Sequence, residues 1–313
     1  MEKPPFTSHP KITSEELLLR KLELSDIPQL LPISYYDGEA AATEAEAIEM
    51  LRKIEQDYLK GDSIHWGIEE KSSGTITGTC GYYRGFKNAS GELGFVMLPE
   101  YQGKGYMTAA LRLAIAFGFR IGLSKIFAVT TSENLKAVKL LERLHFDRST
   151  NLGKEITFEI SREGLYSIRK YRPEDQQQIL NLIRSNTPAN FHHSEEEELK
   201  NYLDMEAEHY FVAEGLGVVL AAGGYDTGFD YGKTVRISWD LAHPEFQGLG
   251  IGKQLTKFRI SEIEKIPEVQ KILVRTTLQA EKFYEKQGFQ KKHFEKDFWA
   301  PGFDLCEMEM RIN

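Results

Sequence analysis

Cysteine is nearly absent from this 313-residue chain: Cys80 and Cys306 are the only two, one in each half. Neither has another Cys or a His at metal-ligand spacing, so neither a disulfide framework nor a zinc site is expected. The adjacent His192 and His193 do not change this, because neighbours on a helix or strand do not face one metal, and they read as loop residues. Long apolar runs are missing too. No stretch reaches the ~20 residues that a membrane-spanning helix needs. Met1 to Pro10 is polar, holds three prolines and has no apolar core of secretory type, so a cytoplasmic location and no membrane partner are expected. Positive charge is in deficit as well, with 39 Lys and Arg against 47 Asp and Glu, a net charge of −8. Such a field repels phosphate polymers, which argues against nucleic acid as a partner.

What is present is ordinary globular composition, with 41% hydrophobic and 27% charged residues. The length suits about two domains, and internal repetition supports that division. Arg20-Lys21, Asp26 and Leu30-Leu31 recur as Arg169-Lys170, Asp175 and Ile179-Leu180. Pro99-Glu100-Tyr101-Gln102-Gly103 recurs as Pro244-Glu245-Phe246-Gln247-Gly248, and Leu140-Leu141-Glu142 through Phe146 as Phe283-Tyr284-Glu285 through Phe289. Order and spacing are nearly constant, so the chain reads as two copies of one domain, 1–162 and 163–313. The short connection at Ser161 to Gly164 implies units packed closely.

Each copy is expected to be mixed α+β, with about seven strands and about four helices. In the first, strands are expected at 17–22, 64–68, 76–82, 92–98, 126–129 and 156–160. Helices are expected from a Ser25 cap, over 43–59, after the first glycine turn and over 133–144. The helix after the turn places Met107, Leu111, Ala114, Ile115 and Gly118 on one core face. In the second copy, strands are expected at 166–171, 210–213, 218–225, 235–242, 272–275 and 305–310. Its helices are expected over 173–183, from a Ser194–Glu197 capping box, after the second glycine turn and over 279–287.

The stretch Gln247-x-x-Gly250-x-Gly252 falls between an extended segment and a helix. Glycines let the backbone turn sharply, and the first N–H groups of the helix lack intrahelical partners and carry the positive end of its dipole. That arrangement suits a pyrophosphate.

With these residues laid out, both halves resemble the GCN5-related N-acetyltransferase (GNAT) superfamily. The second half carries Gln247-x-x-Gly250-x-Gly252 and then Phe283-Tyr284-Glu285-Lys286-Gln287-Gly288-Phe289. The first half resembles the ribosomal-protein alanine acetyltransferase branch through Glu92-Leu93-Gly94-Phe95, Gly103-Lys104-Gly105-Tyr106-Met107 and Asn134. The resemblance implies a mixed, mostly antiparallel sheet splayed at its fourth strand, where acetyl-CoA inserts. By position, Gln247, Gly248, Leu249, Gly250, Ile251, Gly252 and Lys253 would hold its pyrophosphate, and Leu241 and Ala242 would pair with the pantetheine. The matching groups in the first half are Val96, Met97, Gln102, Gly103, Lys104, Gly105, Tyr106, Met107, Thr108 and Asn134. Met107 departs from the usual small residue, and Leu141 stands where Tyr284 does.

Acetyl transfer to an amine needs a base, oxyanion donors and a proton for the leaving thiolate. Asp240 and Glu92 are the candidate bases or amine contacts, and the N–H of Leu241 or Ala242 the candidate oxyanion donor. Tyr284 is the candidate acid, although its place on an amphipathic helix also suits a core tyrosine. Trp66, Trp239, Tyr225 and Tyr231 suit either an acceptor pocket or the core. The expected function is acetyl-CoA-dependent acetylation of a primary amine, on a small molecule or a protein N-terminus, by a monomer or homodimer whose second half is the catalytic centre. Alternatives are a non-catalytic acyl-CoA-binding regulatory module and an aminoacyl-tRNA-dependent transferase, which the net charge disfavours.

Overall fold

A computed structural model describes residues 1–312 and divides into two compact units, Met1–Leu165 and Tyr166–Asn313. Unit 1 opens with β1 (Ile12–Thr13), β2 (Leu17–Arg20) and α1 (Ile27–Leu30), then the ribbon of β3 (Tyr35–Tyr36) with β4 (Glu39–Ala40). Next come α2 (Glu44–Lys60), β5 (Ile64–Glu70), β6 (Thr75–Tyr83), β7 (Ser90–Met97) and α3 (Tyr106–Arg120). β8 (Lys125–Thr131), α4 (Leu135–Arg143), β9 (Asp147–Leu152) and β10 (Glu155–Ser161) complete the unit. Its eight-stranded sheet runs β1-β2-β5-β6-β7-β8-β10-β9.

Unit 2 repeats the plan with β11 (Ser167–Lys170), α5 (Gln176–Asn186), α6 (Glu195–Met205), β12 (Tyr210–Gly215), β13 (Val218–Phe229) and β14 (Thr234–Ala242). It continues through α7 (Ile251–Ile263), β15 (Lys271–Thr276), α8 (Leu278–Glu285), β16 (Gln290–Ala300) and β17 (Phe303–Arg311). The seven-stranded order β11-β12-β13-β14-β15-β17-β16 is that of unit 1 without its edge strand. The α+β architecture is therefore as expected.

One parallel pair in each sheet opens the fold. β7 runs parallel to β8, and β14 to β15, while their other neighbours are antiparallel. A parallel pair needs a crossover, which α3 and α7 supply. The pairing is short: Ser90–Glu92 lie against Lys125–Phe127, and Thr234–Ile237 against Lys271–Val274. Beyond those residues Leu93–Met97 and Ser238–Ala242 are no longer paired with their parallel neighbours, so each sheet splays there, and in unit 2 the splay opens on a cavity.

Alternation builds the sheets as read from the sequence. Leu17, Leu19, Ile64, Trp66 and Ile68 are fully buried, one face of β2 and β5. The sequence also concealed the short β1, β3 and β4, and the longer β9 and β16, which are the last strands in their sheets. An edge strand need not alternate, and β16 is exposed over 290–299, its aromatics Phe294, Phe298 and Trp299 included.

Two helix starts differ from expectation. The Ser25 start is a short 3-10 turn, and Asp26 does the capping: its Oδ2 accepts the Glu23 N–H at 2.8 Å while both oxygens take the Arg20 guanidinium at 2.8 and 2.9 Å. Asp175 does the same for the Arg172 N–H and Arg169. A bidentate guanidinium holds a carboxylate more firmly than a serine hydroxyl could be held. Ser194 has helical backbone angles and makes no cap bond; Glu195 Oε1 accepts the His192 N–H at 2.7 Å in its place. The apolar face of α3 is also wider than a stripe, with Leu113, Ala116 and Phe117 buried. The amino-terminal segment covers that side: the Glu2 N–H donates to Ile121 O at 2.8 Å, and the Phe6 ring meets Phe117 edge-on at 5.8 Å.

Candidate active site

The second cleft owes its shape to one extra residue. β13 and β14 pair Ala222 with Leu241 but Gly224 with Ser238, so β14 advances three residues while β13 advances two. The surplus is taken up at Trp239, whose φ of +51° lies in the left-handed region. This is a β-bulge, which re-aims side chains and bends the strand. In unit 1, β6 and β7 pair without interruption from Gly78–Met97 to Tyr83–Glu92.

The bulge brings Asp240 to Tyr284 on α8 and Arg259 on α7. The Tyr284 hydroxyl donates to Asp240 Oδ2, and the Arg259 guanidinium forms an ion pair with Oδ1. That oxygen is shielded from solvent and accepts no hydrogen bond of regular geometry, so its compensation is the guanidinium charge. Arg259 is 1% exposed and Tyr284 3%. Arg259 Nη1 donates to Gly224 O at 3.0 Å and Nη2 to Thr256 Oγ1 at 3.1 Å. Gly223 makes room: a Cβ there would collide with Asp240 Oδ1 and lie 2.6 Å from Arg259 Nη1. Burial pushes the Tyr284 phenol well above its ordinary pKa, the Asp240 charge adds to the rise, and Arg259 opposes it.

The glycine turn stands beside this cluster. Gly250 caps α7 at φ +84°, a conformation that suits glycine. The helix's first bond runs from Gln254 N to Gly250 O at 3.1 Å, which leaves the N–H groups of Ile251, Gly252 and Lys253 without intrahelical acceptors. His243 N donates to Leu220 O at 2.9 Å, so strand alternation turns the Leu241 N–H toward β13 and the Ala242 N–H toward the splay. Gln247 and Gly248 are exposed at the turn, while Leu249 is buried. A cavity of about 780 Å³ joins these parts, lined by β14 from Arg236 to Ala242, the turn, the buried side of α7, Val274–Thr277 and Tyr284. Phe191, Glu195, Trp299 and Phe303 line it as well. The turn's free N–H groups and the open splay fit a phosphorylated, elongated ligand such as acetyl-CoA.

Unit 1 keeps the turn but not the cluster. Gly105 caps α3 as Gly250 caps α7, and Leu98 N donates to Thr77 O at 3.0 Å, so Val96 faces β6 and Met97 the splay. Phe95 stands where Asp240 does relative to the turn, Ala114 where Arg259 does on the helix, and Leu141 where Tyr284 does. Other expected site residues are engaged internally. Gln102 Nε2 donates to Met97 O at 3.0 Å, the Lys104 ammonium lies 4.8 Å from the Tyr101 ring, and Tyr106 donates to Glu70. Asn134 caps α4 by accepting from Ala137 N at 3.3 Å, and Glu92 is paired with Arg84. Gly103 is exposed, Met107 half-buried and Thr108 buried. Of the aromatics, Trp66 and Tyr225 are buried, Tyr231 is fully exposed and Trp239 lines the cavity.

Arg259, Thr256 and Gly223 were not singled out from the sequence. One signal was available: Ile251, Leu255, Arg259 and Ile263 recur every fourth residue, which puts a charge on the buried stripe of α7. Among the described residues no cluster of three metal-binding side chains exists, and no helix is long and apolar enough to cross a membrane.

With fold and cleft in place, comparison with known proteins gives the class. Two family models, each described as an acetyltransferase (GNAT) domain, match residues 16–147 and 169–312. Together they span most of the chain, which belongs to the GNAT acetyltransferases and is an acetyl-transferring enzyme with tandem domains. It is similar to the uncharacterized N-acetyltransferase YoaA of Bacillus subtilis, at 26% identity over 148 residues, 44% of this chain and 84% of that protein. It is similar to the spermidine N(1)-acetyltransferase of Escherichia coli K12, at 39% over 65 residues, 20% of this chain and 35% of that protein. Among solved structures, a dodecameric spermidine N-acetyltransferase from Vibrio cholerae superposes with a TM-score of 0.41 and 23% identity, covering 47% of this chain and 95% of that one.

Proposed function

We propose that unit 2 catalyses transfer of an acetyl group from acetyl-CoA to a primary amine. The observation that carries this reading is the Tyr284–Asp240–Arg259 cluster, which opens on the same cavity as the glycine turn and has only Phe95, Ala114 and Leu141 as its counterpart in unit 1.

Acetyl-CoA supplies an acetyl thioester. The N–H groups of Gly248 and of Ile251, Gly252 and Lys253 hold its pyrophosphate, Leu249 N–H being engaged by Phe246 O, and the Ala242 N–H, turned toward the splay, donates to the carbonyl oxygen as negative charge develops there. The neutral amine attacks the carbonyl carbon. The Tyr284 hydroxyl then gives its proton to the departing sulfur, a transfer typically worth about 100-fold or more in rate. Asp240 holds the phenol in place, its second oxygen being taken up by Arg259. Unit 1, with a glycine turn but no acid cluster, binds CoA without catalysing transfer, and Glu92 serves in its ion pair with Arg84.

The test is thiol release from acetyl-CoA across a panel of small amines and peptide N-termini. Saturable, enzyme-dependent release with at least one amine is expected. Tight CoA binding with no release from any acceptor would favour a non-catalytic CoA-binding module and overturn the proposal.

A further inference from the structure

We infer that Arg259 is a positioning residue for the transfer: from its buried place on α7 it fixes Asp240 on the Tyr284 hydroxyl and supplies the positive charge that favours departure of the phenolic proton toward the leaving sulfur. The inference rests on the proposed function of unit 2.

A guanidinium that is 1% exposed must be compensated, because an isolated buried charge is strongly unfavourable. Its contacts are directional: the ion pair with Asp240 Oδ1, and hydrogen bonds to Thr256 Oγ1 at 3.1 Å and to the carbonyls of Gly224 at 3.0 Å and Leu255 at 3.4 Å. Such a fork does not swing out to bind substrate, so Arg259 acts through the carboxylate it holds.

Unit 1 argues that the fold does not require the cluster. The same strand order, crossover helix and glycine turn are built there with Phe95, Ala114 and Leu141 at the three positions, all apolar together. Three polar residues replaced as a set point to one shared task. The room left by Gly223 beside Asp240 and Arg259 serves that task as well.

The chemistry requires a counter-charge. As the amine nitrogen bonds to the carbonyl carbon and the C–S bond breaks, its electron pair goes to sulfur. Tyr284 O–H gives that sulfur its proton, and the phenolate takes up the proton the nitrogen loses, directly or through water. During this exchange negative charge sits on Tyr284 beside Asp240, which is unfavourable without a nearby cation. The charged or titratable groups facing Tyr284 are Asp240 from β14 and Arg259 from α7, while Tyr210 from β12 faces those two and donates to Trp239 O at 3.0 Å. Of these only Arg259 is a cation, and it opposes the rise in phenol pKa that burial and Asp240 cause.

The experiment compares wild type with Arg259→Met and Arg259→Lys on two donors: acetyl-CoA, and the 4-nitrothiophenyl thioester of acetate, whose thiolate departs without a proton. Arg259→Met is expected to lower kcat with acetyl-CoA about 100-fold, to change kcat/KM with the aryl thioester little, and to move the alkaline limb of kcat to higher pH. Arg259→Lys, which keeps the charge but not the fork, should recover part of the loss. Equal losses with both donors, or an unmoved alkaline limb, would overturn the inference while leaving the proposed function intact. If wild type releases no thiol with any amine, the proposed function itself fails. Should Arg259→Met not fold, the two-donor comparison on Arg259→Lys decides in the same way, and failure of both variants to fold would make Arg259 a structural residue and overturn the inference.

Discussion

The Tyr284 hydroxyl donates its hydrogen bond to Asp240 Oδ2, joining α8 to the bulged end of β14 across the splay of the second sheet. Tyr284→Phe removes that donor and the proton proposed for the leaving thiolate. Turnover should fall about 100-fold. CoA affinity, measured by calorimetry, should stay nearly unchanged, because the turn is untouched. Stability should drop by about 0.5–1.5 kcal/mol, the usual net contribution of one hydrogen bond, because the Asp240 carboxylate is only partly buried. Unchanged turnover would remove the acid role.

Gly223→Ala tests the same cluster from the opposite strand. The new methyl would press on Asp240 Oδ1 and Arg259 Nη1. Thermal unfolding should show a loss of about 1–3 kcal/mol, typical of overpacking, together with reduced turnover and preserved CoA binding. A variant as active and stable as wild type would mean that the cluster has slack the structure does not show.

Gly250→Asp and Gly105→Asp distinguish the two turns. Each glycine caps its helix at positive φ, +84° and +87° respectively, and each new carboxylate would repel a pyrophosphate. Gly250→Asp is expected to abolish thiol release, whereas Gly105→Asp should leave it within about twofold while removing one CoA equivalent from the binding isotherm. Loss of activity in Gly105→Asp alone would move catalysis to unit 1.

Acid should act through Asp175. Burial tends to raise its pKa, but Arg169 and the Arg172 N–H outweigh this and leave it below the ordinary aspartate value. A carboxyl whose folded-state pKa is depressed contributes stability above its unfolded pKa and loses it as pH falls through the folded value. The stability gap between wild type and Asp175→Asn should therefore be largest near neutrality. It should shrink as pH drops below about 3.9. A gap that stays constant to low pH in denaturant titrations would show that the Arg169 pair contributes nothing through ionisation.

Much of the candidate site was legible because it is local. The turn at 247–252 follows from glycines at a helix start, and Tyr284 follows from the family resemblance of 283–289, since the repeat itself puts Leu141 at that place. Asp240 was placed near the reaction centre, but its orientation was not readable. Plain alternation cannot give the face of a residue that follows a bulge.

The alternating strands, the two crossover helices and the glycine turns are readable in the chain because each depends on residues close together, and the duplication is readable because the two copies keep the same order of residues. Which half holds a polar cluster facing the cleft, and how that cluster is wired, depends on contacts between distant elements. The extra residue at Trp239 exists only as a register shift against β13. The Arg259–Asp240–Tyr284 contacts join three elements that meet through packing, and the glycine that admits them lies on a fourth, β13. The stretch after Gly250 therefore combines two kinds of information: its N–H groups point outward for a reason written in the local sequence, and nine residues on, Arg259 points inward for a reason set by β13 and β14.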